Sequence, residues 1–172
     1  MKTKVIGLIM IGLTNLMFAQ QNFLAVNDVS STNLNKKKAT IESNHSFVNA
    51  VENYDQSSQI KALRKKMLEF NIEDLNVYSE NDPSNYDIVL KNGKNKIAVT
   101  YNQQGDILNC DEYFYNVRLP LSLQKEIIKK HPGWSFVSTK YHMAYEKNKK
   151  VKTKYKVLIK KGEETKTIVI RE

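Results

Sequence analysis

Three histidines, a single cysteine and adjacent acids such as Glu73-Asp74 and Asp111-Glu112 are the side chains in this sequence best suited to acid–base, nucleophilic or metal chemistry. His45, His131 and His142 fall in separate segments, with no HxxxH or HExxH spacing and no second cysteine to help Cys110 build a zinc site. A thiol becomes a nucleophile when a cation or helix start lowers its pKa; Cys110 is followed by Asp111 and Glu112, which raise it. Within "DILNCDEYF" it reads as an inert, half-buried strand thiol. Glu73-Asp74 and Asp111-Glu112 are sequence neighbours, and neighbours on a strand point to opposite faces, so neither pair converges on one substrate. No GxSxG, Walker A or GxGxxG motif occurs. The sequence therefore assigns no catalytic, cofactor-binding or metal-binding residue, and predicts a protein that is not an enzyme and needs no cofactor.

Aromatic residues are the better candidates for recognition. Tyr113 and Tyr115 stand two apart on one face of a strand, with Phe114 aimed the other way, toward the helices. Tyr141, Met143 and Tyr145 repeat the alternation, and Trp134 follows a helix stop. Tyr113, Tyr115, Trp134, Tyr141 and Tyr145 are the candidate binding surface, against the simpler reading that they shield a sheet or make cross-strand pairs. A second candidate is electrostatic: "KNKKVKTKYK", Lys147 to Lys156, has six lysines and no acid. Such a run suits a solvated strand edge or a polyanion.

These side chains sit on elements that are written twice. "YDIVLKNGKNKIAVT" (Tyr86–Thr100) and "YKVLIKKGEETKTIVI" (Tyr155–Ile170) both read as a hairpin around a glycine, and Tyr86–Tyr155 and Gly93–Gly162 are each 69 residues apart. Asn92-Gly93 is a pair that accepts the positive φ angles of a tight hairpin. A helix precedes each set of strands. "SSQIKALRKKMLEF" (Ser57–Phe70) carries Ile60, Leu63, Met67, Leu68 and Phe70 at mostly helical spacing, with Ser57 or Ser58 as N-cap. "LPLSLQKEIIKKHPGW" starts at Pro120, carries Leu123, Ile127 and Ile128 as an apolar stripe, and stops at Pro132-Gly133. A short strand is expected at Leu75–Ser79. The fold class is α+β: tandem repeats of a helix plus an antiparallel meander, forming one sheet with the helices packed on one face.

The ends add location. "MKTKVIGLIMIGLTNLMFAQ" places Lys2 and Lys4 before an apolar run that ends at Ala19, the form of a secretory signal peptide and shorter than the roughly 20 apolar residues of a membrane span. Its loss lowers the formal charge from +9 to +7, since residues 1–19 hold two lysines and no acid. Residues 20–56, polar and without sustained periodicity, read as a flexible leader with at most a helical turn near "FVNAVENY". Asn44 in "NHS" matches a glycosylation acceptor, a match common by chance. The ordered domain is expected over 57–172, with units of about 57–118 and 119–172. One cysteine rules out an intramolecular disulfide, so the apolar core must hold the fold.

Over Gln59 to Glu172, Leu119-Pro120, Pro132-Gly133, the strands led by Tyr86 and Tyr155, the turn glycines Gly93 and Gly162, and Gly105-Asp106 after Tyr101 resemble the PepSY-like domains of exported bacterial proteins. Those domains are similar in fold to the secreted β-lactamase inhibitor protein. The Asn- and Lys-rich composition and the "MFAQ" ending also look like proteins exported by Bacteroidetes. The resembling positions are turns, caps and core, so they imply a fold and not an activity. The resulting expectation is a periplasmic or secreted binding module that engages an unidentified envelope protein or peptide, an enzyme it restrains being one such partner, through the open sheet face. The alternative is a polyanion-binding envelope protein that uses Lys147–Lys156.

Overall fold

The computed structural model describes residues 24–26, 44–52, 54, 57–81 and 83–172. The expected signal peptide and most of the expected leader lie outside the described residues. Seven strands run in sequence order across one sheet: β1 (Leu24–Val26), β2 (Tyr86–Asn92), β3 (Asn95–Tyr101), β4 (Ile107–Tyr115), β5 (Ser135–Glu146), β6 (Lys152–Lys161) and β7 (Glu164–Arg171). β2 to β7 are antiparallel, and β1 lies parallel to β2. Among the described residues three α-helices, α1 (His45–Val51), α2 (Ser58–Leu68) and α3 (Leu121–Lys130), make this an α+β protein. None of the described helices is long and apolar enough to cross a membrane.

The period-two pattern of the strands decides which face is sealed. Tyr86, Ile88 and Leu90 on β2 face Tyr101, Val99 and Ile97 on β3, and all six are buried. Cys110 and Phe114 on β4, Tyr141, Met143 and Tyr145 on β5, and Tyr155, Val157 and Ile159 on β6 continue this inner layer. Phe47, Ile60, Leu63, Met67, Leu123 and Ile127 from the three helices join the same buried cluster. Each large apolar side chain so buried contributes about 1.5–3 kcal/mol, and the lone cysteine takes no part in a crosslink.

Both hairpins turn through two residues with glycine first. Asn92 pairs with Asn95 across Gly93-Lys94, and Lys161 pairs with Glu164 across Gly162-Glu163. Gly93 has φ 59° and Gly162 has φ 58°, while Lys94 and Glu163 keep negative φ, the pattern of a II′ turn rather than the doubly positive turn that Asn-Gly suggests. Asn92 is the last strand residue and not a turn centre. β4 and β5, separated in sequence by α3, pair directly from Asn109↔Glu146 to Tyr115↔Lys140, so the two meanders share one layer.

Two segments differ from expectation. Leu75–Ser79 is not a strand: Asn71 Oδ1 accepts from the Glu73 amide at 3.2 Å, a 3₁₀ turn occupies Ile72–Asp74, and the Tyr78 amide donates to Leu75 O. Local turns satisfy that backbone before a sheet edge does. Part of the expected leader is structured, since Leu24–Val26 extends the sheet and α1 buries Phe47 and Val51. α1 is pinned by Asn44, whose Nδ2 donates to Gly105 O at 3.0 Å and whose Oδ1 accepts from the Ile107 amide at 2.7 Å. With 1 % exposure, this asparagine is a structural anchor and not an accessible glycosylation acceptor.

Candidate binding face

Alternate residues on the strands leave a second face that no described helix covers. On β4 it carries Asn109, Asp111, Tyr113 and Tyr115; on β5 Lys140, His142 and Ala144; on β6 Lys152, Lys154 and Lys156. Cross-strand register aligns them in rows: Lys96, Tyr113, His142, Lys154 and Arg171 stand directly opposite one another from β3 to β7. The neighbouring row runs Tyr115, Lys140, Lys156, Val169.

Of the five aromatic candidates, the structure brings two to this face. Tyr113 is 36 % and Tyr115 39 % exposed. Tyr141 and Tyr145, at 2 % and 4 %, belong to the helix side; Tyr141 packs on Tyr155 and Tyr145 meets the Phe47 ring edge-to-face at 5.0 Å. Their removal from the candidate surface follows from parity: Tyr141, Met143 and Tyr145 share the side of Phe114, across from Tyr113 and Tyr115. Trp134 is half-buried against the core, with its ring 6.3 Å from His131 at the end of α3. It too stands apart from Tyr113 and Tyr115.

The two exposed rings are held in place. Tyr113 stacks on His142 with centroids 4.5 Å apart, and Lys96 Nζ stands 4.6 Å from the Tyr113 centroid. Lys140 Nζ lies 5.6 Å from the Tyr115 centroid. Asn95 Oδ1 accepts from the Tyr115 amide at 2.9 Å, extending the contact of β3 with β4 beyond the paired strands. His142 Nε2 lies 3.1 Å from Asp111 Oδ1. Partial burial, and then the Asp111 carboxylate, raise the Tyr113 phenol above its ordinary pKa and keep it a hydrogen-bond donor. Between these side chains runs a shallow groove of about 220 Å³, lined by Tyr113, Tyr115, Lys140, His142, Lys154 and Lys156.

The groups that could do chemistry are elsewhere. Cys110 is 1 % exposed, deeper than half-buried, with Sγ 3.7 Å from Met67 Sδ; burial first, then Glu112, push its thiol well above the ordinary value. Asp111 and Glu112 do face opposite sides of β4. Glu112 is fully buried and receives hydrogen bonds from Arg64 Nε at 2.6 Å and Nη2 at 2.8 Å. Sequence reading missed this ion pair. Its signal was present: Arg64 interrupts the α2 stripe Ile60, Leu63, Met67, and Glu112 occupies an inward position between Cys110 and Phe114. Among the described residues no three His, Cys, Asp or Glu side chains gather closely enough to hold a metal ion.

This face offers hydrogen-bond donors, cations and partly exposed rings on paired strands beside a groove. Comparison of the chain with protein-family models, curated proteins and solved structures finds no match.

Proposed function

We propose that this protein is an exported, non-enzymatic binding module that engages a protein or peptide of the cell envelope through the outer face of its sheet. Export rests on the lysine-led apolar segment that ends at Ala19. The observation that carries the reading is the division of the aromatic residues: Tyr141 and Tyr145 are consumed by the core, while Tyr113 and Tyr115 stay exposed and braced by Lys96, His142 and Lys140. Tyrosines fixed by their neighbours lose little freedom on binding, which favours them at interfaces. Descent from a duplicated PepSY-like unit is part of the same proposal, supported by α2 preceding the β2–β4 meander and α3 preceding β5–β7. Restraint of an enzyme is one form such binding takes.

The test is a pull-down from envelope extract with the native chain and a Tyr113→Ala/Tyr115→Ala variant of unchanged fold. Loss of specific partners in the variant is expected; identical partner sets remove this face from the function. The second reading, a polyanion binder, is favoured by Lys152, Lys154 and Lys156 sharing one face, and predicts steeply salt-dependent binding to heparin or DNA.

A further inference from the structure

The cations of the outer face are arranged against one another. Lys140 stands directly opposite Lys156, and Lys154 directly opposite Arg171, with His142 on its other side. Like charges paired directly across a sheet destabilise it. Ion pairs that would relieve them are absent: Lys147, Lys149 and Lys160 reach Asp106, Glu146 and Glu163, whereas Lys140, Lys152, Lys154, Lys156 and Arg171 form no ion pair with a described residue. Of the acids of β4 and β5 on this face, Asp111 faces His142 and Glu146 is taken by Lys149, and neither reaches Lys140, Lys154 or Lys156. Unrelieved repulsion on an exposed, ordered surface is what a bound anionic partner would offset.

Aliphatic groups lie among these charges. Val169, 41 % exposed, stands opposite Lys156, and half-buried Leu158 follows two residues along β6. Tyr113 has Lys96 and His142 against its ring and Tyr115 has Lys140, so these rings do not present the bare platforms on which bases or sugars stack. A carboxylate polymer with apolar side chains matches a cationic and aliphatic surface; a nucleic acid or sulfated sugar matches only the cations.

Resting on the binding-module reading, we infer that the partner segment is an acidic polypeptide that, when extended, presents Asp or Glu and then an aliphatic residue at successive every-second positions along one side. Its carboxylates meet Lys140, Lys154 and Lys156 in the groove, and its apolar side chains cover Leu158 and Val169. Along β6, Lys154, Lys156 and Leu158 recur every second residue, about 6.5–7 Å, the spacing at which side chains recur on one side of an extended peptide.

The experiment is fluorescence anisotropy on the full chain with four labelled probes: a peptide of about ten residues with Glu, Glu and Val at successive every-second positions and Ser or Thr between them, polyglutamate of the same length, a heparin fragment and oligo-dT. The mixed Glu/Val peptide is expected to bind most tightly, and to weaken at least about tenfold both between about 50 and 500 mM salt and in Lys154→Glu/Lys156→Glu. Because these substitutions remove like-charge pairs, the variant is also expected to unfold at an equal or higher urea concentration; Lys154→Met/Lys156→Met gives the charge-free control should it not. Tighter binding of heparin or oligo-dT overturns the inference in favour of a polyanion, and peptide binding unchanged in both lysine variants overturns it for this face. If no probe binds while Tyr113→Ala/Tyr115→Ala still loses a native partner, the acidic specificity falls and the binding-module reading stands.

Discussion

Arg64 on α2 and Glu112 on β4 meet through two parallel hydrogen bonds, Nε–Oε1 at 2.6 Å and Nη2–Oε2 at 2.8 Å, inside the apolar layer between helix and sheet. Neither is solvated, with side-chain exposures of 8 % and 0 %. Burial pulls the guanidinium toward losing its proton, but the Glu112 bond and charge more than offset this and hold the pKa raised. The pair sets the register of α2 over β4.

Removing one partner leaves a buried charge. Glu112→Ala is expected to destabilise by about 3–5 kcal/mol, whereas Arg64→Met/Glu112→Leu should cost much less than the summed single changes. Urea unfolding of both singles and the double checks this; additive losses would show that the two residues are not coupled.

The Asn44 anchor is a second buried device. Asn44→Ala strands the Ile107 amide and Gly105 carbonyl, for an expected loss of about 1–3 kcal/mol per group left unsatisfied. Hydrogen exchange at the Ile107 amide should accelerate; unchanged protection would mean that α1 does not seal this end of the sheet.

Alkaline pH should weaken the fold. Burial raises Cys110 well above its ordinary 9.0 and Tyr101 well above its ordinary 10.0, with Glu112 adding to the thiol's shift and Cys110 to the phenol's. Above pH 9 the unfolded chain releases these protons while the native chain keeps them, so the unfolded state binds fewer protons and stability falls as pH rises. Each group adds about 1.4 kcal/mol per pH unit once its unfolded form is ionised and its folded form is not. Urea midpoints measured across this range should decline, and Cys110→Ala should flatten the decline near its start. A thiol reagent should leave Cys110 unmodified in the native state and modify it in urea.

The aromatic residues should divide by face. Tyr145→Ala opens the core beside Phe47 and is expected to cost about 3–5 kcal/mol, while Tyr113→Ala and Tyr115→Ala, exposed and cross-strand, should each cost about 1 kcal/mol or less. Thermal unfolding of the three variants distinguishes them, and a large loss in Tyr115→Ala would make that ring structural.

Turn glycines offer a purely backbone test. A Cβ at Gly93 or Gly162 would meet nothing within 4 Å, so the loss on Gly→Ala reflects positive φ alone, about 1–2 kcal/mol at each site. Equal losses in the two variants, read from urea midpoints, would match the equal φ of the two turns.

Alternation and turn chemistry were legible in the residues themselves. The tyrosine-led strands, the glycine hairpins, the two longer helices and the opposite aims of Phe114 and Tyr113 all follow from local periodicity and φ preference, which neighbours in sequence determine. Parity said that Tyr141 and Tyr145 share a face, but not which face. That waited on the β4–β5 register, because a strand's two sides differ only once a partner fixes which is packed. Long-range pairing also decided the fate of Arg64, Glu112 and Asn44, polar residues whose burial becomes tolerable only when a partner 48 or about 60 residues away supplies the missing bond. The lysine run had the same ambiguity. Its alternation was visible as text, and only the sheet, by setting Lys140 against Lys156 and Lys154 against Arg171, turned a solvated stretch into one concentrated field of charge.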